Sequence, residues 1–149
     1  MEENKISKVK SLLYDEYTKE EIQAIVSQIE DQEVLYVYTY NYNWDNGLEI
    51  PQLILNNDKC DLSIALLVFY SADGISYLFN KSYNDRLPNW SSFIKKLYDS
   101  ILAGKYQSGG VEFKVPLSKV QLFKLKKILT EKESIFVENV VGKNLDIYL

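Results

Sequence analysis

Hydrophobic positions recur along this chain at intervals of three and four, the spacing of one helix face. Ile6, Val9, Leu12 and Leu13 share a stripe over residues 4–14. Thr18-Lys19-Glu20-Glu21 then matches the capping box, in which a hydroxyl and a carboxylate satisfy orphan backbone donors, and Ile22, Ile25, Val26 and Ile29 carry a second helix to about residue 30. Pro51 is tolerated in a first turn, so residues 50–56 read as a short helix. The run from Leu62 to Tyr70 is apolar on nearly every side and predicts a buried central helix, capped by Asp61 and stopped at Asp73-Gly74, with Gly74 expected to take the left-handed conformation. Trp90, Phe93, Ile94, Leu97, Tyr98 and Ile101 give the most regular periodicity, with Asn89 as the expected cap and Gly104 as the stop. Beyond Gly109-Gly110, Pro116 and Ser118 open another helix, with Val120, Leu122, Phe123, Leu125, Ile128 and Leu129 as its expected core side and Lys119, Lys124, Lys126 and Lys127 on the rest.

Two segments resist this reading. In residues 33–43, Tyr36, Tyr38, Tyr40 and Tyr42 alternate as in a strand. A lone strand would leave both of its edges unpaired, so a helix with Leu35, Tyr38, Thr39 and Tyr42 on one face is preferred. Residues 79–88 read as a polar loop, and 134–149 as a short helix near 134–141 followed by an extended end. The expected fold is all-α, an irregular bundle of about six or seven helices in one domain spanning 1–149, with a short extended segment at 33–43 or at the C-terminus left open.

The 149 residues carry a net charge of −4, with 46% hydrophobic and 26% charged positions, the range of an ordinary globular chain. That total hides an asymmetry. Residues 1–89 hold 7 Lys/Arg against 15 Asp/Glu, and residues 90–149 hold 10 against 6. An acidic total without a basic, aromatic-laced patch disfavours nucleic acid as a partner. The acidic start and the absence of a long apolar run predict neither a cleaved export signal nor a membrane span. A single cysteine, Cys60, suits a reducing compartment, so the expected location is the cytoplasm.

The chain contains no histidine, which removes Ser-His and Cys-His nucleophiles and the usual zinc sets. No catalytic, cofactor-binding or metal-binding residues are therefore assigned. Cys60, just before a helix start, is weighed as a reactive thiol and as a small buried hydrophobe, the second being preferred. Asp45, Glu49, Asp61 and Asp73 are weighed as acid–base groups and read as caps.

Asn41-Tyr42-Asn43-Trp44-Asp45-Asn46-Gly47-Leu48-Glu49-Ile50-Pro51, followed by Cys60-Asp61 and the apolar run to Gly74, resembles a bacterial family of small domains of unknown function. The pattern has the form N-W-D-x-G-x-x-x-P, then C-D-x-x-x-A-L-x-x-F, with Ser63-Ile64 where the family is associated with Gly-Thr. The resemblance implies a bacterial helical domain and no known reaction.

Twelve tyrosines and two tryptophans suit an interaction surface, because such rings bury much area at low entropy cost. The expected function is a non-enzymatic protein-binding module, specifically an immunity protein covering a toxin domain, with Tyr36, Tyr40, Asp45 and Glu49 as contacts. The alternatives are a histidine-free enzyme using carboxylates and tyrosine, and a structural subunit.

Overall fold

A computed structural model describes residues 1–81 and 87–149; residues 82–86, half of the polar loop expected over 79–88, thus fall outside the described residues. Eight α-helices follow one another: α1 (Glu3–Tyr14), α2 (Lys19–Ser27), α3 (Gln32–Asn41), α4 (Glu49–Asn56), α5 (Leu62–Ser71), α6 (Gly74–Phe79), α7 (Pro88–Leu102) and α8 (Lys119–Ile128). Two 3-10 helices, Trp44–Asn46 and Glu131–Val137, complete the set, and the fold is all-α. Helix α6 and the first 3-10 helix, which the sequence did not lead us to expect, are too short to show a periodicity. The C-terminal expectation resolves into the second 3-10 helix and an extended tail.

The starts follow local chemistry. Thr18 accepts from the Glu21 N–H, Asp31 from those of Glu33 and Val34, and Asp61 from that of Ile64. Ser118 and Gln121 form a reciprocal capping box. At the far end of α2, Asn57 donates to the carbonyls of Val26 and Ile29, both at 3.0 Å, which satisfies acceptors that the helix leaves open. Helix α7 begins two residues earlier than expected, with Leu87 at the cap and Pro88 as its first residue, so that Asn89 lies inside the first turn.

Residues 33–43 are helical, and α3 lies against α1, α4 and α5. All of Val34 to Thr39 is buried, far more than the one face expected, because neighbours cover α3 on several sides. Helix α5 is as central as its composition requires, touching α3, α4, α6 and α7. Its exit differs from expectation: Asp73, not Gly74, takes the left-handed conformation (φ 62°), and Gly74 opens α6. A glycine is needed at 74 for room, since an added Cβ would lie 2.5 Å from the Phe69 carbonyl oxygen and against its ring. Gly104 does close α7 with a positive φ of 76°.

Residues 110–113 and 140–143 are stitched by isolated bridges, Val111 with Lys143 and Phe113 with Val140. Ser63 donates to the Val111 carbonyl at 2.6 Å, tying this pair of segments to the start of α5. Buried Glu133 accepts from the Tyr98 hydroxyl at 2.6 Å and pairs with Lys81, fastening the second 3-10 helix to α7. Among the described residues no helix is long and apolar enough to cross a membrane.

Candidate interaction surface

The four tyrosines that alternate in sequence separate in space. Residues two apart on a helix point about 200° apart and residues four apart nearly coincide. Tyr36 therefore stacks on Tyr40 (centroids 6.3 Å apart), while Tyr38 meets Tyr42 (6.4 Å) on the other side of α3. Tyr42 leads into the signature turn: its hydroxyl donates to the Gly47 carbonyl at 2.8 Å, and its ring meets Trp44 edge-on at 5.4 Å. Asn43 caps the 3-10 turn by accepting from the Asp45 N–H, and Gly47 takes φ 95°, a region that side chains disfavour.

This turn holds Asp45 and Glu49 at the surface, both exposed. Glu49 pairs with Lys19 at 2.7 Å and accepts from Gln23 at 3.0 Å, which lowers its carboxyl below the usual range. Gly47, Leu48 and Glu49 form one end of a groove of about 640 Å³ between α4 and α7. Its walls include Leu55, Phe93, Leu97 and Tyr106, with Gln52, Asn56 and Ser92 offering hydrogen bonds, and Lys96 and Lys105 line it as well as Glu49. Such a recess can seat a projecting segment and orient it by charge.

Tyr36 and Tyr40 lie on the opposite row and do not join this groove. Tyr36 is corrected as a contact residue: it is 1% exposed, and its hydroxyl donates to Asp146 Oδ1 at 2.7 Å, so the ring is spent on internal packing. Tyr40 is half-buried, with the Tyr148 ring 5.0 Å away; desolvation and its hydroxyl partner push its phenol up to about 12. The weighed carboxylates are not brought together either. Asp61 is buried at the start of α5 and exposed Asp73 lies past its end, roughly 15 Å away for ten residues of helix. Asp45 stands on the signature turn, so the three form no common acid–base site. Cys60 is buried, and desolvation pushes its thiol up, the behaviour of a core side chain rather than a nucleophile. Among the described residues no group of three His, Cys, Asp or Glu is placed to hold a metal ion.

One surface escaped the sequence reading. Only Leu125 of α8 is buried; Val120 and Phe123 are each 62% exposed and Ile128 is 53% exposed. Val120, Phe123 and Lys127 share the outer side, where the Lys127 ammonium lies 4.3 Å from the Phe123 ring centre. The signal was present in the apolar positions of α8, which run round the helix rather than along one stripe.

Residues 30–102 match the model of the family described as Domain of unknown function (DUF4274). No curated protein and no solved structure matches the chain.

Proposed function

We propose, for a chain that belongs through residues 30–102 to the DUF4274 family of undescribed role, a protein-binding function exercised at the groove between α4 and α7. The observation that carries this reading is the groove itself: Gly47 and Leu48 of the signature turn line it together with Glu49, and Lys96 and Lys105 bring positive charge to the same recess. The apolar part of the lining supplies contact area, and charges of both signs in one recess fix the orientation of whatever enters. Asp45 and Glu49 are the contacts retained from the sequence reading. In its specific form the proposal is an immunity protein of the bacterial cytoplasm that neutralises a toxin domain by one-to-one binding. The acidic total and the buried lone thiol of Cys60 support that setting.

Affinity capture of the tagged chain from its native cells, at moderate salt, tests the proposal against an Asp45→Lys, Glu49→Lys double variant. The expected result is one stoichiometric partner held by the unaltered chain and lost by the variant, with both showing the same circular dichroism. A partner retained by the double variant would remove the groove from the account. Absence of any partner across growth conditions would overturn the binding function.

A further inference from the structure

The last residues of the chain lie along α3 in an unusual way. Leu145 is buried, Asp146 exposed, Ile147 half-buried, Tyr148 exposed and Leu149 half-buried, the alternation of an extended segment with one face inward. Its partner is not a strand. Asn41 Nδ2 donates to the Ile147 carbonyl at 2.7 Å, and Asn41 Oδ1 accepts from the Leu149 N–H at 2.9 Å. The side-chain amide thus meets residues 147 and 149 as the edge of a β-sheet would, a donor and an acceptor presented together. A further bond, Asn41 Nδ2 to the Val37 carbonyl of its own helix at 2.8 Å, holds the amide in that orientation. The other holds on this strap are side-chain contacts as well: Tyr36 on Asp146, the Tyr40 ring on Tyr148, and the Tyr14 hydroxyl on the Leu149 carbonyl.

The strap differs in kind from the segment that precedes it. Residues 140–143 are joined to 110–113 by backbone bonds from Lys143 N to the Gly110 carbonyl and between Phe113 and Val140. Within 146–149 the one backbone bond among the described residues is local, from Ile147 N to the Leu145 carbonyl. Its attachment therefore rests on the side chains of buried Tyr36, half-buried Tyr40 and Asn41 and exposed Tyr14, and on two half-buried apolar residues, without a backbone bond to another segment among the described residues, which places it among the elements that open without the core.

We infer that this strip of α3 is a binding site for an extended peptide, occupied in the isolated chain by residues 146–149 acting as an internal ligand. The partner it fits is a segment of another protein carrying apolar side chains at alternate positions, whose backbone Asn41 reads without regard to sequence. Exchange of strap for partner keeps the site covered when the partner is absent. The site lies on the tyrosine row facing away from the α4–α7 groove, so it stands or falls independently of the proposed function.

The test uses the full chain and a labelled peptide copying residues 144–149. An Ile147→Asp, Leu149→Asp variant loosens the strap and is expected to bind the peptide at least about tenfold more tightly than the unaltered chain, whose site is filled. Adding Asn41→Ala should abolish that gain. A strap variant that keeps its circular dichroism yet binds no better than the unaltered chain overturns the inference. Hydrogen exchange on the unaltered chain decides the matter should the variant unfold. The Leu149 amide is expected to exchange well before those of α5, and exchange together with α5 would overturn the inference equally.

Discussion

Asp61 and Gly109 are fitted to each other: a Cβ added at position 109 would lie 2.7 Å from Asp61 Oδ2. The other oxygen, Oδ1, accepts from the Ile64 N–H at 2.9 Å and so caps the buried helix α5, while Oδ2 is enclosed beside Gly109. The loop after α7 and the start of the central helix are thereby locked at one point. Gly109→Ala is expected to cost about 1–3 kcal/mol by overpacking, and Asp61→Ala about 1–2 kcal/mol by loss of the cap. The double variant should lose at least about 0.5 kcal/mol less than the sum, because removing the carboxylate lifts one of the two crowding contacts on the new methyl, the other being the Gln32 side-chain amide. Urea unfolding of the four proteins checks this, and strict additivity would refute the coupling.

Glu133 makes stability depend on acid. Burial opposes its ionisation, but the Lys81 ammonium, the Thr130 N–H and the hydroxyls of Tyr98 and Thr130 outweigh that and hold its carboxyl at about 2, against 4.5 ordinarily. Between these values the unfolded chain binds the additional proton, so the contribution is complete above about pH 4.5 and is lost as pH falls towards 2. The loss attributable to this group is on the order of 2–3 kcal/mol. Unfolding midpoints at pH 6 and pH 3 should differ more for the unaltered protein than for Glu133→Gln.

At the turn between α5 and α6 the structure leaves no space for a side chain at position 74. Gly74→Ala forces a methyl against the Phe69 ring and carbonyl, and should destabilise the protein by about 2 kcal/mol or more. Differential scanning calorimetry would show this as a lowered melting temperature. Because Asp73 carries the left-handed turn, Asp73→Gly is expected to be neutral or stabilising.

Helix α8 separates packing from exposure within three residues. Leu125→Ala should cost about 2–4 kcal/mol, since Leu125 is fully buried. Phe123→Ser, two residues before it, should change stability by no more than about 0.5 kcal/mol while reducing binding of a hydrophobic dye. Equal destabilisation by the two substitutions would mean that Phe123 is covered in solution.

What the amino-acid sequence determined by itself was set by neighbours within a few residues. Caps at Thr18, Asp61 and Ser118 declare helix starts because the bonds they make close over three residues. The apolar run of α5 and the stripe of α7 likewise carried their burial with them, so the all-α class and the central helix were legible. The exposure of a side chain on α3 or α8 depended on partners far along the chain. Tyr36 is buried because Asp146, 110 residues away, comes back over it, and periodicity within 33–43 contains no trace of that return. Phe123 is exposed because α8 turns its inner side to α6 and the second 3-10 helix, although its sequence is apolar on the outer side as well. The groove beside Glu49 and the peptide strap on Asn41 are of the same kind. Each is made by two segments whose residues are ordinary alone and acquire a role only where the fold sets them side by side.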